Sequence, residues 1–174
     1  MADRIREAFL TRQLRDAMQL NEASDVVTVT PIAGVPPERY VIDLRCRGLV
    51  QEADGTIRVH DRFAVGLHFP EDYTRSVPNP FQILTVLHPM NAYHPNVSAR
   101  APFICVGHLP PGTGIIEIAF QVWEIWTYRR YNLVDGLNAD AALYARAHRA
   151  EFPVDPRPLK RRAGSFTVEA VEKL

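Results

Sequence analysis

The first pattern along the chain is helical. Wound at about 100° per residue, residues 2 to 20 place Ile5, Phe9, Leu10, Leu14 and Ala17 on one broad face and Arg4, Arg12 and Arg15 on another. The period then changes to two. Val26 to Ile32 is rich in β-branched residues and predicts a strand, and Gly34-Val35-Pro36-Pro37 predicts the turn after it. Tyr40, Ile42, Leu44 and Cys46 alternate with Val41, Asp43, Arg45 and Arg47, which puts Cys46 on the apolar face of a second strand, in the core. Asp54-Gly55 is a strong hairpin-turn pair. Phe63, Val65, Leu67 and Phe69 alternate again as a third strand, with His68 on the opposite face. Residues 70 to 80 carry three prolines and predict an ordered loop, and Phe81 to Leu87 a fourth strand.

No helix or strand pattern runs through residues 88 to 114. An irregular stretch of that length in a compact domain is usually functional. Residues 115 to 131 then predict a helix that is apolar almost all round. Ile115, Ile118, Ala119, Val122, Ile125 and Trp126 form one stripe, Ile116, Phe120 and Trp123 another, and Glu117, Gln121, Glu124 and Tyr128 a narrow polar line. Such a helix is buried, here under the sheet. Asn138 is placed to cap a further helix over about 139 to 150, and Pro153, Pro156 and Pro158 end it. Strands joined by short turns, with a helix before and helices after, predict an α+β fold. Its parts are an N-terminal helix, a four-stranded antiparallel meander, an active-site loop, a central buried helix and a C-terminal helix. The expected division is a domain over 1–152 and a tail over 153–174.

Composition narrows the function. The 174 residues include 20 basic and 20 acidic side chains, so no net field favours nucleic acid or an anionic membrane. No apolar run approaches the ~20 residues that span a bilayer, and the charged N-terminus lacks a signal peptide's apolar centre. The two cysteines, Cys46 and Cys105, are expected as free thiols in a reducing cytosol, so the expected location is cytoplasmic. Only Lys160 and Lys173 are lysines, an arginine bias that suggests a GC-rich bacterial genome. Nothing calls for a cofactor. Cys105, His94 and His108 lack the regular spacing of metal ligands.

The candidate chemistry lies in HPNVSARAPFIC, residues 94 to 105. A thiol needs only a modest local push to become a nucleophile near neutral pH. The Asn96 amide could donate to a developing oxyanion. His94-Pro95-Asn96 followed by Ile104-Cys105 resembles the active-site segment of ubiquitin-conjugating enzymes. Phe69-Pro70-Glu71-Asp72-Tyr73, with Pro78 and Pro80, resembles that family's Phe-Pro-x-x-Tyr-Pro segment upstream. Asp135-Gly136-Leu137-Asn138, with Ala141, Ala142 and Tyr144, resembles its Asp-Pro-Leu-Asn segment downstream.

The resemblance implies a transferase that carries a ubiquitin-like protein as a thioester on Cys105 and passes it to an amine of a protein substrate. It implies catalytic roles for Cys105, Asn96 and Asp135, the last orienting the incoming amine, and a place in the same site for His94, a structural residue in the family. Leu137 matches a contact with the ubiquitin-like protein. Arg4, Arg12 and Arg15 match the helix face that docks on the activating enzyme. Tyr73 to Arg75 and Pro110-Pro111 match two loops that meet a ligase.

The chain departs from the pattern in three places. The Asn96–Cys105 interval is one residue longer and contains Pro102; VGHLPPGTG follows Cys105 where the family carries a Trp; and the proline loop after Tyr73 is longer. These departures leave a ligase contact and the oxyanion geometry unsupported. They are most like divergent bacterial members encoded in antiviral conjugation operons. Two other functions remain open: a non-catalytic scaffold of the same fold that binds ubiquitin-like proteins, and a cysteine hydrolase using Cys105 with His94 or His108 and Asp135.

Overall fold

A computed structural model describes residues 3–77 and 79–161. Helix α1 (Arg4–Ala23) is capped by the Asp3 carboxylate, which accepts from the Ile5 and Arg6 N–H groups. Strands β1 (Val27–Gly34), β2 (Pro37–Leu44), β5 (Phe63–His68) and β6 (Leu84–His88) form an antiparallel sheet in the order β1-β2-β5-β6. This is the expected meander. Its one buried face carries Val27, Val29, Tyr40, Ile42, Leu44, Phe63, Val65, Leu67, Leu84 and Val86, the alternate positions that a period of two selects. Helix α2 (Ile115–Trp126) packs into the same core, with Trp126 stacked on Phe63 at 4.7 Å between ring centroids. Helix α3 (Ala139–Ala147) follows, capped as expected by Asn138, whose Oδ1 accepts from the Ala141 N–H at 3.0 Å.

Several details differ from the sequence expectation. The Asp54-Gly55 turn joins two additional short strands, β3 (Gly48–Gln51) and β4 (Ile57–His60), which form a separate hairpin. The fourth sheet strand begins at Leu84, after one 3-10 turn over Pro80–Gln82. On α1 the buried positions are Leu10, Gln13, Ala17 and Leu20, whereas Ile5 is exposed. Gln13 is buried because it has a partner: its Oε1 accepts from the Ile115 N–H at 2.7 Å. That bond caps α2, whose own cap residue, Gly114, has no side chain to do so.

Helix α2 stops at Trp126, five residues short of the expected end, because Tyr128 takes a left-handed backbone (φ 59°). Tyr128 is then fully buried and does not extend the polar line. Its hydroxyl donates to the Tyr93 carbonyl, and its ring stacks on Phe152 at 4.3 Å. Burial of these contacts is what holds a side-chain-bearing residue in a backbone region it otherwise rarely visits.

The segment after Pro153 folds back as a strap. Leu159 is buried in the core, Ser24 donates to the Leu159 carbonyl, and the Arg161 N–H donates to the Ala23 carbonyl. The Asp155 side chain is 1% exposed and accepts from the Arg47 N–H and the Arg157 guanidinium. Burial alone would raise its pKa, but those hydrogen bonds win and hold it at about 2. Residues 162–174 of the expected tail lie outside the described residues.

Candidate active site

The loop carrying the HPN sequence is more ordered than its irregular pattern suggests. A turn closes where the Val97 N–H donates to the His94 carbonyl at 3.0 Å. The chain leaves and returns through a bridge between Val97 and Ile104, and Phe103 bridges to Thr85 on β6. Residues 98 to 103 form the tip between them, turned by the Ser98 hydroxyl accepting from the Arg100 and Ala101 N–H groups. The long Asn96–Cys105 interval is taken up in this tip, with Pro102 presenting its carbonyl to the Val86 N–H. Asn96 and Cys105 therefore stay in direct contact. The Cys105 N–H donates to the Asn96 carbonyl at 2.8 Å, and Asn96 Nδ2 donates to the Cys105 carbonyl at 2.8 Å.

Asn96 also reaches the next loop. Its Oδ1 accepts from the Asn132 N–H at 2.9 Å. Asn132 in turn accepts, through its own Oδ1, from the N–H groups of Val134 and Asp135. The Asn138 N–H donates to the Pro95 carbonyl, and Gly136 lies so close that an added Cβ would stand 3.0 Å from that same oxygen. The two loops are thus one clamped unit, with Asn96 and Asn132 at its centre. Nothing local in the sequence marks Asn132 except that it is a turn-forming residue opening the 132–138 loop.

His94 lies beneath the clamp, 1% exposed, with its ring edge-on to Tyr128. Its Nδ1 accepts from the Asn96 N–H at 3.0 Å. Burial drives its pKa down to about 3, with only a partial opposing effect from the nearby Arg130 backbone. A neutral, enclosed imidazole whose Nδ1 is committed to the backbone fits support of the turn and not proton transfer at the thiol.

This arrangement predicts an acid dependence of stability. The folded pKa lies below the unfolded value of ~6.5, so between about pH 6.5 and 3 only the unfolded chain takes up this proton. The contribution is complete above ~6.5 and falls with pH, by up to about 1.4 kcal/mol per unit. Denaturant midpoints measured across this window should show a shallower fall for His94→Gln than for the native chain; equal slopes would place the titrating group elsewhere.

Cys105 is half-buried and free. It lines a groove of about 420 Å³ with Asn96, Gly107, Arg130, Tyr131, Asn132 and Leu133. No histidine lines it, and His108 is exposed. Asp135 is exposed on the adjoining loop, outside the groove's lining. Leu137, 37% exposed, follows Gly136 on the same loop. Cys46 is fully buried, and burial together with the Asp155 charge pushes its pKa up to about 12, which leaves Cys105 as the thiol available to a partner.

A larger cleft of about 810 Å³, between α1 and the β1–β2 turn, contains the Arg6–Glu38 ion pair and no thiol. Tyr73 joins the two expected ligase loops: its hydroxyl donates to the Thr113 carbonyl and its own carbonyl accepts from the Gly112 N–H. Arg4, Arg12 and Arg15 are all exposed on α1, and Arg12 pairs with Asp16 at 3.4 Å. Among the described residues no group of three or more His, Cys, Asp or Glu side chains could hold a metal, and no helix is long and apolar enough to cross a membrane.

The N-terminal helix, four-stranded antiparallel meander and further helices have the fold of ubiquitin-conjugating enzymes. Solved structures agree. The E2 domain of a Toxoplasma gondii ubiquitin conjugating enzyme superposes with a TM-score of 0.53 at 18% identity, covering 84% of this chain and 91% of that one. A structure described as a novel ubiquitin-conjugating enzyme superposes with a TM-score of 0.56 at 16% identity, covering 84% and 89%. No family model matches the sequence, and no curated protein matches it.

Proposed function

We propose that this chain is a conjugating enzyme that carries a ubiquitin-like protein as a thioester on Cys105 and transfers it to an amine of a protein substrate. The observation that carries the proposal is the clamp: in this fold, the residue bonded on both sides to the accessible thiol's own backbone is the Asn of HPN. The cysteine hydrolase reading lacks a histidine in the groove to act as base. The scaffold reading gives no role to a half-exposed thiol held in that position. Asp135, exposed on the clamped loop that adjoins the groove, is proposed to orient the incoming amine, and Leu137, exposed apolar surface on the same loop, to meet the ubiquitin-like protein. The arginine-rich composition supports a bacterial, cytoplasmic member, and the departures from the family pattern support one serving antiviral defence, with a ligase contact unsupported. The test is intact mass spectrometry after incubation with activating enzyme, ATP and ubiquitin-like protein. A mass increase of one modifier, lost on treatment with reductant, is the expected result. A chain that never acquires the adduct would be a scaffold.

The exposed arginines of α1 are proposed to dock on the activating enzyme. Reversing Arg4 and Arg15 to Glu should slow loading severalfold at low salt. Native loading should weaken as salt rises while the variant changes less, because screening removes only attractions that exist. Unchanged loading of the double variant at low salt would reduce these arginines to a solvated helix face.

A further inference from the structure

In transfer from a thioester, the amine lone pair forms a bond to the carbonyl carbon and the C=O π pair moves onto oxygen. Collapse re-forms C=O and breaks the C–S bond, leaving the sulfur as thiolate. The proton lost by nitrogen to water balances the one the thiolate takes up. The barrier is the oxyanion, and a donor aimed at it is the largest single help a site can give. Asn96 is the obvious candidate, yet its Nδ2 donates to the Cys105 carbonyl and its Oδ1 is held by the Asn132 N–H. Its amide is engaged in holding two loops together.

Among the described residues, one charged donor lines the same groove. Arg130 is exposed, and its guanidinium forms no ion pair or hydrogen bond with the described residues. It lies across Gly107, two residues from the thiol. A Cβ on Gly107 would come within 2.8 Å of Arg130 Nη2, and Gly107 itself has φ +83°. Both features keep a side chain out of the place the guanidinium occupies. Arg130 gets there because the left-handed Tyr128 ends α2 and redirects the chain, with the Arg130 N–H returning to the Glu124 carbonyl at 3.1 Å. Among the described residues, no acidic one lines the groove to neutralise it.

Building on the conjugating function proposed above, we infer that Arg130 is a catalytic residue, whose guanidinium donates to the thioester carbonyl oxygen as it becomes the oxyanion. The test uses the full chain charged chemically, by exchange with ubiquitin bearing a C-terminal alkyl thioester, so that no cognate activating enzyme is needed. Single-turnover discharge to free lysine is then followed. Arg130→Gln should slow discharge about 10²-fold at saturating lysine, the scale of one lost oxyanion donor. Arg130→Lys should recover only part of it, because the charge remains and the planar fork is gone.

Gly107→Ala, with Arg130 present, should show a similar defect, and combining it with Arg130→Gln should add little. Discharge of charged Arg130→Gln at the native rate, a defect abolished by more lysine, or fully additive losses would overturn the role of Arg130 while leaving the conjugating function standing. Failure of the native thiol to accept ubiquitin, while a small accessible thiol does, would overturn both.

Discussion

Cys105→Ser is expected to convert a reductant-sensitive modifier adduct into one that survives reductant, and Cys105→Ala to abolish the adduct altogether. A thioester exchanges with added thiol, whereas the oxygen ester that serine forms does not. Both substitutions are nearly neutral for folding, because Cys105 is half-buried on a loop and away from the packed interior. The loss is therefore chemical, all or none, and readable on a gel with and without reductant.

The control is Cys46→Ala. Its thiol is fully buried, with a pKa pushed to about 12, so it is a core group and a weak nucleophile. Removing it should cost about 1–2 kcal/mol as a small cavity and leave loading intact. Charging of Cys105→Ala, or loss of charging in a folded Cys46→Ala, would move the nucleophile.

Asn96→Ala is expected to load and then discharge roughly 10²-fold more slowly, since misplacing a reacting group by ~1 Å can cost that much. The substitution breaks the bonds to the Cys105 carbonyl and to the Asn132 N–H together. Asn96→Asp keeps an acceptor for Asn132 but sets a carboxylate oxygen against the Cys105 carbonyl, and should be as slow. Asn132→Ala is the discriminating variant. It leaves Asn96 in place and frees the Val134 and Asp135 N–H groups. If Asn96 acts by clamping, Asn132→Ala should slow discharge too, and the double variant should lose less than the sum of the single ones. Normal discharge by Asn132→Ala would return Asn96 to the role of direct oxyanion donor. Equal losses in loading and discharge for Asn96→Ala would make it purely structural.

The sequence by itself determined the parts of this protein that follow from local periodicity. Alternation every second residue placed Tyr40, Ile42 and Leu44, and Phe63, Val65 and Leu67, on buried faces of two strands, with Cys46 and Phe69 in step with them. A helix apolar on nearly every face could only be buried, and Asn138 could be assigned as a cap because capping is satisfied within one turn. The HPN turn and Cys105 stand out together as a candidate site because they lie close in the chain.

What only the tertiary structure decided depends on partners far apart in sequence. Gln13 looks like a surface glutamine until the uncapped end of α2 meets it. Tyr128 belongs to a helical polar line until Tyr93, His94 and Phe152 enclose its ring and turn the backbone left-handed. Asp155 looks like a tail residue until the Arg47 N–H binds it at the end of the sheet. Arg130 is one of eighteen arginines, and nothing local marks it. It becomes a candidate for catalysis only when the bend at Tyr128 and the bare Cα of Gly107 bring its guanidinium into the groove beside Cys105.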